Sequence, residues 1–274
     1  MSIRAAVTRG LGVLMAGAIS AALLVLPASA APRDVALPSA AADHYAPVFP
    51  AALTLAQGTS WLENALSLRT AALDTLSNSV GSVTNLTASD RSALAGLVQG
   101  AASGISALSQ KVPTDTTVAQ LHQDAVAMIG YHVLSLLTPQ VTRVVAIDSQ
   151  LASYHSLLQQ VTVLEAAITA AQQAKRNVSQ PKSEDVELRQ HLNDVNSQLS
   201  GLTASLLALS PASWPAPENV LKNASRSTSV AAHDLSVANG DVTEIVSQLA
   251  HPAPRTSSLR QALDALKRAI EPTV

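Results

Sequence analysis

The sequence predicts an all-α protein, an elongated up-and-down bundle of about six long helices with coiled-coil-like seams. Two ladders of apolar residues support this prediction, because spacings of three and four place side chains on one helical face. The first ladder is Leu188, Leu192, Val195, Leu199, Leu202, Leu206 and Leu209, and the second is Leu221, Ala224, Thr228, Ala231, Leu235, Ala238, Val242, Ile245 and Leu249. A proline-containing loop at 210–218 joins them. We therefore expect the two helices to pack antiparallel.

The composition favours the same fold class. Aromatic residues make up only 2% of the 274 residues, and alanine and leucine, which are both strong helix formers, are abundant. The absence of cysteine excludes disulfides, thiolate metal sites and catalytic thiols. A formal net charge of −2 argues against a nucleic-acid-binding protein, which needs a basic surface.

Residues 1–30 have the pattern of a secretory signal peptide. Arg4 and Arg9 precede an apolar run at 11–26, and an Ala-Ser-Ala cleavage site follows at 28–30. The apolar run is shorter than the roughly 20 residues that span a bilayer. We therefore expect cleavage before Ala31 and a mature chain without a transmembrane segment that is secreted, extracellular or cell wall-associated. Residues 31–58 are predicted to be a Pro/Ala-rich flexible linker.

The helical bundle is predicted to occupy residues 59–250. Ser60 and Glu63 form a capping-box pattern that predicts the first helix start. Its seam is Leu62, Leu66, Arg69, Leu73, Leu76, Val80 and Val83. Two interpretations of Arg69 are open, since its stem can pack while its head reaches water, or it can pair with a buried carboxylate.

A second helix is predicted to begin at Thr87, and it carries Gly96, Gly100 and Gly104 at intervals of four. Each glycine inside a helix costs about 0.8–1.0 kcal/mol relative to alanine. The spacing therefore predicts the close approach of a neighbouring helix, and the alternative is a weak, mobile helix.

Three further boundaries follow along the chain. A helix at about 117–137 precedes Pro139, where the chain either kinks or starts the longest helix, which extends to about residue 176. Acidic residues at 184, 185 and 187 open the helix of the first ladder. Residues 251–274 are predicted to be a linker and a short amphipathic tail helix. The apolar face of that helix is Leu259, Leu263, Leu266 and Ile270.

Three short segments carry a resemblance to known proteins. These are Tyr-His-Val at 131–133, Pro-Gln-Val at 139–141, and Asp148. They resemble landmarks of secreted, signal-peptide-bearing helical proteins from high-GC Gram-positive bacteria, a group without an assigned activity. The resemblance implies a helical bundle and implies no function.

The sequence contains no motif typical of zinc proteases, serine hydrolases, phosphate-binding loops or di-iron bundles. Asp148 and Glu165 would lie about 25 Å apart along one helix, too far to act together, so each is expected to face solvent or cap a seam edge. We therefore expect no enzyme, no catalytic residue and no metal site. The predicted function is a secreted or cell-envelope-associated, non-catalytic scaffold or interaction protein. Its partner would be a protein or the cell wall, and it could form a homo-oligomer.

Two alternatives remain from the sequence. An extracytoplasmic carrier would hold haem, metal or a small apolar ligand between helices, with Met128 and His132 as candidate cofactor-binding residues because they are four apart on a predicted helix. Otherwise no cofactor is predicted. A pore-forming protein would instead expose the apolar stretch at 125–147 on a trigger.

Overall fold

The computed structural model describes residues 53–250 and 261–265. Over these residues the chain is helical and contains no strand, which confirms the all-α class. The helices are α1 Leu55–Ser82, α2 Ala88–Lys111, α3 Val118–Gly130, α4 Thr138–Gln173, α5 Ser179–Leu199, α6 Leu202–Leu207 and α7 Pro217–Ala250. A π-helix at Val133–Leu137 and 3-10 turns at Val112–Thr114 and Pro211–Ser213 complete the order, and residues 261–265 are also helical. The predicted signal peptide, most of the linker and most of the tail lie outside the described residues.

Helix α1 begins earlier than the sequence predicts. The Thr54 hydroxyl accepts a hydrogen bond from the Gln57 backbone N–H at 3.4 Å, and the Gln57 side chain accepts one from the Thr54 N–H at 3.0 Å. This capping box satisfies free backbone N–H groups at the start of the helix, and it lies upstream of the capping box that the sequence predicts at Ser60. Ser60 therefore lies inside the helix, and the predicted linker overlaps α1 at 55–58.

The seam of α1 is buried, and Arg69 is buried with it. Arg69 is only 4% exposed, and its Nη1 donates a hydrogen bond to the Ala65 carbonyl of the same helix at 3.1 Å. The interpretation in which the guanidinium reaches water is therefore wrong. A position between Leu66 and Leu73 on the packed face leaves the side chain no path to solvent.

Helices α5 and α7 pack against each other. Gln248, near the end of α7, donates a hydrogen bond to Glu184, near the start of α5, at 2.6 Å, as expected for antiparallel helices. The second ladder is buried throughout, except that Leu235 is partly exposed. The first ladder does not form one continuous helix, because Gly201 adopts φ 75° and ends α5 after Leu199. Glycine enters this left-handed region without a steric penalty.

The chain breaks at His132 rather than at Pro139. His132 adopts φ 47° and ψ 38°, between the end of α3 and the π-helix. The Thr138 hydroxyl donates to the Val133 carbonyl at 2.8 Å, and Pro139 then lies in the first turn of α4, where a backbone N–H is not needed. A new helical segment therefore begins here, as one of the two predicted alternatives has it, but it begins several residues upstream of the proline.

Two clusters of buried side chains form the core. The first cluster involves α1, α2, α3, the first half of α4, the end of α5, α6 and the first half of α7. The second cluster involves the rest of α4, the earlier part of α5, the second half of α7 and Leu263. Tyr154 and Leu235 pack against both clusters. One continuous stretch, Val118–Gln173, is long and apolar enough to cross a bilayer, but 56% of its most apolar window is buried, as in the core helix of a folded protein.

Candidate functional site

Unusual backbone and aromatic groups meet where α3 ends. We call this region the His132 corner, defined as residues 131–137 with the loop at 209–215. The corner contains the left-handed His132, the π-helix and a cis Trp214-Pro215 peptide bond. Non-glycine left-handed residues and π-helical segments are enriched at functional sites. The corner is therefore the region of the described chain that we take as the candidate site.

His132 is held by two neighbours. Its ring stacks on Trp214 with centroids 4.8 Å apart and an interplanar angle of 26°. Its Nδ1 lies 3.1 Å from the Ser135 hydroxyl. A left-handed conformation costs a non-glycine residue about 1–2 kcal/mol, and an aromatic pair contributes about 0.5–1.5 kcal/mol. The stack therefore offsets much of the backbone cost.

The sequence predicts the loop at 210–218 only as a connection between two helices and gives no role to Trp214. A signal was present in that loop. Trp214 is one of only two tryptophans in the chain, and it lies between prolines at 211 and 215.

The glycine stripe predicts the close approach of a neighbouring helix, but a neighbour comes close to only one of the three glycines, and it is a side chain. A Cβ on Gly104 would collide with Cζ and Oη of Tyr131, the C-cap residue of α3. The neighbour is thus a tyrosine ring rather than a helix backbone. Gly96 and Gly100 are exposed, and a Cβ on either would meet nothing within 4 Å. The spacing therefore has a packing reason at Gly104 only.

An apolar pocket of about 120 Å³ opens between α2 and the His132 corner. Its lining is Leu97, Gly100, Ala101, Tyr131, Leu136, Leu137, Gln140, Leu209 and Pro211. Gln140, only 1% exposed, donates a hydrogen bond to the Leu206 carbonyl at 2.7 Å. Cofactor pockets usually measure about 300–1,000 Å³, and a cavity of about 150 Å³ holds one benzene. The pocket therefore matches one apolar side chain or a small apolar molecule rather than a porphyrin.

A second pocket lies between α1 and α2 and measures about 190 Å³. Its lining includes Asp74, Thr70 and two serines. This hydroxyl-rich lining gives no arrangement that we can assign to a ligand.

The two candidate cofactor-binding residues do not share a helical face. Met128 is fully buried in the first core cluster, whereas His132 lies beyond the end of α3 at Gly130 and is partly exposed. The spacing of four residues therefore does not place Met128 and His132 where both could bind one cofactor. Within 53–250 and 261–265, no group of three or more histidine or acidic side chains is placed to hold a metal ion.

Asp148 caps a helix rather than facing solvent. Its carboxylate is 4% exposed and accepts a hydrogen bond from the Thr87 backbone N–H, at the N-cap of α2, at 3.2 Å. Burial raises the pKa of Asp148, the Thr87 hydrogen bond opposes this rise, and the Asp90 carboxylate adds to it. Glu165, by contrast, is half exposed and pairs with Arg189 of α5.

Two other acidic residues have charged neighbours. Asp124, 5% exposed, accepts a hydrogen bond from the Lys111 ammonium at 2.6 Å, and this bond raises the pKa of Lys111. Burial raises the pKa of Asp241 on α7, while His191 opposes the rise and Glu187 adds to it. These pairs join neighbouring helices and stand apart from the His132 corner.

No family model, curated protein or solved structure matches this chain.

Proposed function

We propose that this chain is a secreted or cell-envelope-associated, non-catalytic helical scaffold that binds a protein partner through α2. In this proposal the helices form an elongated up-and-down bundle with coiled-coil-like seams. The observation that carries the proposal is the exposed face of α2. Between Arg91 and Lys111 the helix has no charged residue, and Gly96 and Gly100 are exposed and uncovered. Soluble surfaces usually carry about 25–35% charged residues.

The pocket at the His132 corner extends this face. Gly100 and Leu97 belong both to α2 and to the pocket lining. Partner proteins commonly insert one apolar anchor into such a pocket, and this anchor supplies much of the binding energy. A partner helix could approach α2 closely because the glycines have no side chains. An amphipathic helix with one apolar anchor is therefore the partner that we propose.

A crosslinking experiment tests this proposal. Because the chain has no cysteine, Gly100→Cys introduces one unique thiol for a photoreactive label on the proposed surface. Ser77→Cys, at an exposed position on α1, is the matched control. We expect a single crosslinked partner in the producing cells from position 100 only. Adding Gly96→Glu should abolish this adduct, since it places a charge on the uncharged face.

The proposal fails if positions 77 and 100 give the same adducts, or if Gly96→Glu leaves the adduct from position 100 unchanged. Circular dichroism of each variant controls for folding. Because Gly96 and Gly100 are uncovered, we expect both substitutions to leave the helix content unchanged.

A carrier of a small apolar molecule is the second candidate, because the pocket is apolar and adjoins an aromatic stack. Native mass spectrometry of protein from its own host separates the two functions. The mass of the chain from Ala31 onward, with nothing added, would support the scaffold and the predicted cleavage site. A discrete added mass would support the carrier.

A further inference from the structure

The apolar pocket at the His132 corner contains one buried amide side chain. Gln140 of α4 lines the pocket and is 1% exposed, and its Nε2 donates a hydrogen bond to the Leu206 carbonyl of α6 at 2.7 Å. A carbonyl oxygen can only accept a hydrogen bond, so this contact determines which end of the amide is Nε2 and which is Oε1. The Gln140 amide is therefore held in one orientation.

The Oε1 atom of Gln140 is an acceptor that the fold leaves open. Among the described residues no donor reaches it, since the bond to Leu206 is the hydrogen bond that this side chain makes. The Oε1 atoms of Gln150 and Gln160 also lack a donor but are fully enclosed, whereas Oε1 of Gln140 keeps some accessible surface. Because Gln140 is otherwise buried and lines the pocket, that surface faces the pocket. Buried acceptors of this kind bind water or a donor on a ligand.

The rest of the pocket fits one uncharged ring. Besides Gln140 and Tyr131, its lining consists of leucine, alanine, glycine and proline, so a cation would be buried without a counter-charge. Its volume of about 120 Å³ is slightly below the cavity of about 150 Å³ that holds benzene. A leucine or phenylalanine side chain would displace water from Oε1 without replacing its hydrogen bond, which is unfavourable. A ring that carries one hydroxyl group would both fill the pocket and satisfy Oε1.

We propose that this pocket binds the side chain of a tyrosine on the partner helix, whose phenol O–H donates a hydrogen bond to Gln140 Oε1. The inference rests on the proposed function, because it specifies the anchor that the partner inserts beside α2. Leu97 and Gly100 belong both to α2 and to the pocket lining, and Gly100 is exposed. A helix on the exposed face of α2 therefore has the pocket within reach of one side chain. Tyrosine is also enriched among the residues that dominate binding energy at interfaces.

Phenol itself is the probe for this site, and toluene is the matched ring that lacks a donor. Two-dimensional NMR titrations of the full mature chain follow the backbone amides of Gly100 and Ala101. We expect saturable shifts centred on the pocket, and a dissociation constant for phenol about 2–10-fold below that for toluene, as for one neutral hydrogen bond. The proposal is overturned if the wild-type chain binds the two probes equally, or if the shifts lie elsewhere on the protein.

Two variants show whether Gln140 is the acceptor. Gln140→Met keeps the length of the side chain, so it should still bind toluene but lose the preference for phenol. Gln123→Met, at an exposed position on α3, should keep that preference. If Gln140→Met does not fold, Gly100→Leu replaces it, because a Cβ at Gly100 meets nothing within 4 Å and the longer side chain should block both probes. A preference for phenol that persists in Gln140→Met, or binding that persists in Gly100→Leu, would contradict the proposal.

A photoreactive label on Gly96→Cys distinguishes a tyrosine from a free phenolic compound. In the producing cells, adding Gln140→Met should reduce the partner adduct from position 96 by about 2–10-fold. An unchanged adduct, together with phenol binding, would assign the pocket to a free phenolic compound and overturn the tyrosine. Because the titration does not involve the partner, the two failures are distinguishable. A missing adduct on α2 refutes the proposed function, whereas equal binding of phenol and toluene refutes the phenol site.

Discussion

Replacing Gly104 by alanine tests the packing of the His132 corner. Alanine is favoured over glycine in a helix by about 0.8–1.0 kcal/mol, so at an open position the change should stabilise the protein. At Gly104 the new Cβ would overlap the far end of the Tyr131 side chain, so the packing there must shift. Overpacking of this kind costs about 1–3 kcal/mol. We therefore expect Gly104→Ala to lower the free energy of unfolding by about 1 kcal/mol net.

The same helix provides the control. Gly96→Ala changes the same residue type on α2, but its Cβ would meet nothing within 4 Å, so it should stabilise the protein by about 0.5–1 kcal/mol. Urea unfolding followed by far-UV circular dichroism measures both variants. In a Tyr131→Ala background Gly104→Ala should become stabilising, which gives a coupling energy of about 1 kcal/mol or more. If Gly104→Ala and Gly96→Ala stabilise the wild type equally, the ring does not lie over Gly104 and the reasoning fails.

Three further predictions concern other positions. The His132→Gly variant should be more stable than the His132→Ala variant by about 1 kcal/mol in urea unfolding. Both variants lose the stack on Trp214, but only glycine adopts the left-handed backbone conformation without strain. Equal stabilities would show that the backbone at this position is not strained. Lys111→Met should destabilise the protein more than Asp124→Asn does in the same assay. Lys111→Met leaves the Asp124 carboxylate, which is 5% exposed, without its cation, whereas Asp124→Asn leaves a lysine that water can solvate. The opposite order of stabilities would contradict this prediction. Burial raises the pKa of Asp241 above 3.8, so the stability linked to it is present below pH 3.8 and is lost as the pH rises through the raised value. The Tm advantage of Asp241→Asn over the wild type should therefore shrink between pH 7 and pH 4, and a constant difference would argue against the raised pKa.

The sequence could predict which side chains are buried, because helical periodicity depends only on residue type and spacing. Leu188, Leu192, Val195 and Leu199 are all buried as their spacing predicts. Where helices end was harder to predict, since the apolar spacing continues through Gly201 and on to Leu206. One glycine in the left-handed region decides that boundary, and the periodicity carries no information about it.

The candidate site depended even more on tertiary contacts. The glycine stripe predicted the approach of a neighbouring helix, whereas the fold brings only the Tyr131 side chain close, and only at Gly104. The prediction that Met128 and His132 act together was wrong, because residues four apart share a face only if the helix continues through both of them. The stack of His132 on Trp214 joins residues far apart in the chain, so no local pattern could predict it.

The presence of two core clusters in one chain has a consequence for how the protein unfolds. Helices α4 and α7 run through both clusters, and Tyr154 and Leu235 touch each of them. If the residues around one cluster unfold, they expose apolar faces of helices that also pack in the other cluster. Heat should therefore melt the two halves in one cooperative transition, and a chain cut between Ile147 and Leu157 should not yield two fragments that fold independently.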